Sequence, residues 1–250
     1  MKVFRLICLL SLGLLFGSCA KHIQIFHTQS DQLALDKETK MRFHGNEHLN
    51  VYYDFWSEGG VMLFFLQNKT DSTLYLDFEK SYVIINQREV NYYADQNEGA
   101  RRPDNNPNES NAISTYFHEL PRVLEMPSQS GQWVEGYPLS YDWYPMKNKE
   151  SYQYFSRDKS PLQIEHKLVY TFRESDITST NTLKHYLWVK AIQQMRLKEF
   201  QQFTKQQSNG KGQSNLFYIP NPNAGTSGLE SDAWWGQLTI GLLEVITLFL

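Results

Sequence analysis

The sequence predicts a mainly β protein built as an antiparallel sandwich or barrel. Three observations carry that expectation. From Met41 onward, short runs rich in Val, Ile, Tyr and Phe follow one another at roughly ten-residue spacing. Clusters of turn-forming residues (HGNE, SEGG, NKTDS, NQRE) punctuate the runs. The aromatic content, 15 Tyr, 15 Phe and 6 Trp in 250 residues, is ample material for a core.

The elements follow in chain order. Residues 19–40 are mixed and mostly polar and read as a tether. The runs MRF, HLNVYYDFW, GVMLFFLQN and TLYLDFEKSYVIIN then read as strands. In TLYLDFE, Leu74, Leu76 and Phe78 fall on one face, and Tyr75, Asp77 and Glu79 on the other. GVMLFFL lacks alternation, as a strand covered on both sides would. Residues 95–112 form a polar loop rich in Pro and Asn, of a length that is usually functional or disordered. Strands are expected at 114–119 and 122–126, and then EHKLVYTFRE (165–174) alternates as a strand. A strand from 182 to about Gln194, with Leu187, Val189 and Ala191 on one side, leads into a short helix. That completes a β domain over 41–203. Residues 204–232, rich in Gln, Ser, Asn, Gly and Pro, read as a linker. Residues 233–250 form an apolar C-terminal segment. Its assignments are a final element packed on the domain, a membrane-inserted or interfacial segment, or a partner-binding segment.

The N-terminus gives an address. Lys2 and Arg5 precede an apolar stretch from Leu6 to Leu15, too short to span a bilayer and of signal-peptide length. It ends in LFGSC (15–19), which resembles the lipobox of bacterial lipoproteins. In that family the signal, here residues 1–18, is cut before a cysteine that carries lipid, which here is Cys19. A thiolate is a strong nucleophile able to accept a diacylglycerol group. Each buried methylene contributes about 0.8 kcal/mol, so two or three chains hold firmly. The chain's two cysteines are Cys8 and Cys19. Loss of Cys8 and lipidation of Cys19 would leave neither a disulfide nor a thiol metal site. The formal net charge of −3 becomes −5 when residues 1–18 take Lys2 and Arg5 away and no acid with them. That balance argues against a nucleic-acid partner, which needs a basic face.

Several motifs could carry chemistry. HGNEH (44–48) fits the H-x-x-E-H pattern of zinc peptidases, which makes His44 and His48 metal candidates and a zinc-dependent envelope hydrolase a remote alternative. That chemistry needs a helix, so that the two rings share a face. Gly-Asn inside the motif, between two strand runs, predicts a hairpin turn with solvent-exposed histidines instead. Glu58, Asp77 and Glu79 could be imagined as a carboxylate pair, but a solvated strand face is the favoured reading. Trp133, Tyr137, Tyr141, Trp143, Tyr144, Tyr152 and Tyr154 offer flat faces with polar tips, suited to stacking on sugars or to filling sandwich edges. Asn68-Lys69-Thr70 is a glycan sequon. Asp71-Ser72-Thr73 resembles the short O-glycosylation motif of Bacteroidetes, with Ser72 as acceptor.

The run FFLQNKTDSTLYLDFEKSYVIINQREVNYY (64–93) resembles uncharacterised lipoproteins of Bacteroidetes. The features are an apolar strand, an Asn-x-[ST]-Asp turn and an I-x-[IL]-D-like strand, followed by a Ser and a second apolar strand ending in Asn. Later segments like HELPRVLEMP (118–127) and LVYTFRE extend the resemblance to roughly residues 40–195. It implies an immunoglobulin-like β-sandwich on a lipid anchor, no cofactor, and no catalytic residue to carry over. Surface-exported lipoproteins of that phylum resemble one another in acids after the lipidated cysteine. Ala20-Lys21-His22 has none, so the outer membrane facing the periplasm is the expected location. The expected function is a non-enzymatic structural or protein-interaction role, with envelope proteins as partners. The alternative is glycan binding by the aromatics of 133–154.

Overall fold

The computed structural model describes residues 22–93, 120–146, 151–172, 180–206 and 214–221. Signal residues 1–18, Cys19, the 95–112 loop, the 114–119 strand and the 233–250 segment lie outside the described residues. The described chain is mainly β, in two antiparallel sheets.

The smaller sheet is a meander with one addition. Strands β2 (Ala34–Leu35), β3 (Arg42–Gly45), β4 (Leu49–Asp54) and β5 (Val61–Asn68) pair in order, and β10 (Gly131–Pro138) joins β5 on its far side. The larger sheet has as its central path β14 (Leu216–Pro220), β1 (His22–Gln29), β13 (Asn181–Arg196), β12 (Gln163–Thr171), β6 (Leu74–Asp77) and β9 (Val123–Met126). Three further strands attach to it. β7 (Tyr82–Ile85) pairs with β12 below β6, β8 (Arg88–Asn91) pairs with β7, and β11 (Tyr152–Tyr154) pairs with β13. The β7–β8 hairpin turns on Asn86 and Gln87, both at positive φ, as a two-residue loop that follows strand twist requires.

The core lies between the sheets. Leu49, Val51, Tyr53, Met62, Phe64, Leu66 and Val134 from the smaller sheet meet Phe26, Leu74, Leu76, Ile164, Leu168, Leu187 and Phe217 from the larger. This face-to-face packing is consistent with the expected immunoglobulin-like sandwich. Alternation in β6 is as expected, with Leu74, Leu76 and Phe78 fully buried. β5 buries Met62, Phe64 and Leu66 in this core and Phe65 on its other face, against Met41 and Tyr52, with Phe43 and Trp133 packed around them. Its second cover is therefore neighbouring aromatics of the same sheet.

Two regions correct the sequence reading. Residues 22–29, expected within a tether, form β1, an interior strand between β13 and β14. Gln24 made the segment look polar, yet it is fully buried. Its side-chain amide donates to the Tyr144 carbonyl at 2.7 Å and accepts from the Tyr144 amide at 2.9 Å, as a neighbouring backbone would. The presumed linker contains β14, whose Leu216, Phe217, Tyr218 and Ile219 are all buried. Five residues of strand were masked by the polar composition on either side.

β13 runs into α1 (Leu197–Gln206). Leu197, Phe200 and Phe203 recur every third residue and cover Ile23, Ile25, Trp56 and Tyr218 on the outer face of the larger sheet. Glu199 accepts the Arg196 amide at 3.0 Å, half of a capping box. β13 carries one irregularity. His27 pairs with Ala191 and Thr28 with Val189, so Lys190 is an extra residue, a β-bulge. The bulge changes the strand's phase, so Ala191 does not share the core face of Leu187 and Val189 as alternation alone would have it.

Candidate functional site

Four side chains from four strands form a polar chain inside the sandwich. β3 supplies His44, β4 Tyr53, β12 His166 and β13 His185. Three of them sit in phase with apolar core residues: Tyr53 with Val51, His166 with Ile164 and Leu168, and His185 with Leu183 and Leu187. The backbone aims them inward because that face of each strand is the core face. His185 Nε2 lies 2.8 Å from His44 Nδ1. Tyr53 Oη lies 2.5 Å from His185 Nδ1 and 2.6 Å from His166 Nδ1. Tyr53, His166 and His185 are buried, while His44 is half-buried.

His166 Nε2 is buried without a partner among the described residues. That end sets the direction of the chain, because an orphaned lone pair is more tolerable than an orphaned N–H. The favoured arrangement has His166 Nδ1–H donating to Tyr53 Oη and Tyr53 O–H donating to His185 Nδ1. His185 Nε2–H then donates to His44 Nδ1. Both interior imidazoles are neutral. Burial, then the nearby His44, pushes His185 down to about 3. Burial, then His185, holds His166 well below the ordinary histidine range. Burial raises the Tyr53 phenol well above its ordinary value. Charging either interior imidazole would set a donor against a donor at Tyr53 or leave an N–H at His166 Nε2 with no acceptor among the described residues, so the row is a closed polar strut and not a conduit.

His44 and His48 do not converge. His44 belongs to a strand and bonds to His185, while His48 Nδ1 lies 3.0 Å from Tyr170 Oη. Tyr170 Oη also accepts from Asn46 Nδ2 at 2.8 Å. Both histidines are half-buried, which corrects the expectation of solvent-exposed turn residues. The hairpin itself forms, with Asn46 Oδ1 accepting the amides of His48 and Leu49. Asp77 and Glu79 are tied to cations: Lys80 lies 2.7 Å from Asp77 and Arg122 2.6 Å from Glu79. Among the described residues no group of three or more His, Cys, Asp or Glu could hold a metal ion.

Asn68 is fully buried. Its amide donates to the carbonyls of Ser72, Met126 and Pro127, and its oxygen accepts from Thr70. The sequon is thus a structural staple, while Ser72 is exposed on the turn it holds. The seven aromatics separate. Trp133 packs on the outer face of the smaller sheet. Tyr137 is buried with its hydroxyl on the Asn91 carbonyl, and burial pushes it up to about 12. Trp143 and Tyr144 pack against the core, and Tyr141 is exposed. Tyr152 and Tyr154 pair with ring centroids 4.7 Å apart, Tyr154 being 76% exposed.

Sequence reasoning missed Tyr53, His166 and His185. The available signal was a histidine on the apolar phase of two alternating strands, EHKLVYT and TLKHYLW. Comparisons with protein-family models, curated proteins and solved structures give no match.

Proposed function

We propose that this chain is a lipid-anchored protein of the bacterial cell envelope, its sandwich a non-enzymatic structural or protein-interaction module. The observation that carries the reading is LFGSC at 15–19 after a short apolar run with a basic start. The fold adds a positional argument. β1 begins at His22, so only Ala20 and Lys21 separate it from Cys19. Three extended residues span at most about 11 Å. A lipidated Cys19 would therefore seat the His22 edge of the larger sheet directly on the bilayer. Arg196, which pairs with His22, and Lys198 are exposed there, suited to anionic head groups. The Asn221 amide donates to the His22 carbonyl at 3.0 Å, so the residue after β14 lies at the same edge. The absence of acids after Cys19 favours the periplasmic side of the outer membrane.

The test is Cys19→Ala in the full chain, read by palmitate labelling and membrane fractionation. Loss of label together with release into the soluble fraction is expected. A variant that stays in the membrane would make residues 233–250 the anchor and overturn the reading.

A further inference from the structure

The outer face of the larger sheet carries a bracket of three rings that neither the core nor the polar strut uses. β11, β13 and β1 lie side by side there, and directly opposed residues share a face. One row reads Tyr154–Ala191–His27, and the next reads Tyr152–Gln193–Ile25. Ile25 belongs to the cluster that α1 covers, which fixes both rows on the outer face. The bulge at Lys190 sets this phase, since it takes Ala191 off the core face.

The bracket is built outward from the sheet. The Tyr152 ring centroid lies 5.5 Å from that of His27 and 4.7 Å from that of Tyr154. The Tyr152 hydroxyl lies 3.4 Å from His27 Nε2, and the Gln193 side chain hydrogen-bonds His27. Burial, then the nearby Lys190, pushes His27 down to about 4, so its ring is neutral at ordinary pH. His27, Tyr152 and Gln193 are half-buried, and Tyr154 rests against them with 76% of its surface exposed. The other exposed aromatics among the described residues are already engaged. Tyr186 lies under the Arg157 guanidinium at 6.0 Å, Phe172 meets His48 edge-on at 4.8 Å, and the Tyr141 ring lies against Gly59.

We infer that Tyr154 and the groups beside it form a sugar-binding site for a hexopyranose unit of a glycan. A pyranose has a face of C–H groups and a rim of hydroxyls. The C–H face matches an exposed phenol ring, and the rim meets the imidazole of His27, the amide of Gln193 and the two phenol hydroxyls, all able to hydrogen-bond. Because Tyr152 and His27 hold the platform in place, little freedom is lost when a sugar arrives. Proline-rich peptides also stack on aromatic rings, but they dock in aromatic-lined grooves, whereas Tyr154 offers one supported ring to open solvent. Of the seven aromatics of 133–154, the structure leaves Tyr154, backed by Tyr152, as the stacking surface.

The test uses the full-length protein in a polyoxyethylene detergent, with chitotriose, maltotriose and cellotriose as probes. Sorbitol serves as an open-chain polyol that has hydroxyls and no pyranose face. Saturation-transfer NMR on the unaltered protein is expected to mark the ring C–H protons of at least one trisaccharide and to leave sorbitol unmarked. Titration of that trisaccharide should show affinity about tenfold weaker in Tyr154→Ala, as loss of one aromatic stacking contact implies. Tyr154 is too exposed for this change to disturb the core. Tyr154→Phe keeps the ring and should bind within about twofold of the parent. Tyr186→Ala removes a ring that Arg157 already covers and should leave binding unchanged. The inference is overturned if no trisaccharide receives saturation, if sorbitol receives it equally, if Tyr154→Ala binds as the parent does, or if Tyr154→Phe loses as much affinity as Tyr154→Ala.

Discussion

Acidification is expected to weaken this fold well above the range where ordinary carboxylates titrate, and His185 is the residue on which to measure it. Its imidazole has a pKa of about 3 in the folded protein against 6.5 for the free side chain. The sign follows from proton counting. Between those two values the unfolded chain holds a proton that the folded chain does not, so stability rises with pH. The contribution is fully present above 6.5 and is lost as pH falls toward 3. At about pH 5 the loss amounts to roughly 1.5 pH units at about 1.4 kcal/mol each, or about 2 kcal/mol from this residue. His166, displaced in the same direction, adds to it. Glu58, raised by burial, works in the opposite sense, costing stability at neutral pH and relieving that cost in acid. The assay is urea unfolding followed by tryptophan fluorescence at about pH 7.5, 6 and 5 in the parent and in His185→Gln. The variant is expected to be less stable at neutral pH by roughly 1–3 kcal/mol, because Tyr53 and His44 lose a partner. Its deficit should shrink by about 2 kcal/mol at about pH 5, because one proton-linked penalty is gone. A deficit that stays constant across that range would refute the closed, neutral strut.

Two other predictions concern stability alone. Asn68→Ala removes an amide that holds three carbonyls together at a buried turn, and unfolding measurements should show a loss of about 2–4 kcal/mol. Gly60 has φ +66°, and a Cβ there would lie 2.7 Å from the Phe217 ring, so Gly60→Ala should lower the unfolding midpoint by the equivalent of about 2–3 kcal/mol.

Much of the fold was legible because the signals are local. Alternation in TLYLDFE depends only on neighbouring residues, and the same-face burial of Leu74, Leu76 and Phe78 follows from period-two geometry. The turns at HGNE and NQRE are likewise set by Asn and Gly chemistry within the turn. β1 and β14 were not legible for a physical reason. β1 carries Gln24 in a buried position, and the residue is tolerated there only because Tyr144, 120 positions away, supplies backbone partners. β14 is apolar but short, and composition averaged over its surroundings hides it.

The sites divide in the same way. By itself the sequence determined the strand runs within 42–54, 61–68, 74–77, 82–85, 123–126 and 165–171, the strand from 182 and the helix after it, while β8, β10 and β11 lie outside those runs. The tertiary structure alone decided that His44, Tyr53, His166 and His185 meet, since the three bonds joining them connect residues 141, 132 and 113 positions apart. It also decided that a one-residue bulge at Lys190 shifts the register of β13 against β1. Periodicity records which face of a strand is buried. Which polar groups then find one another on that face depends on register and packing between strands remote in sequence, and a linear pattern does not encode these.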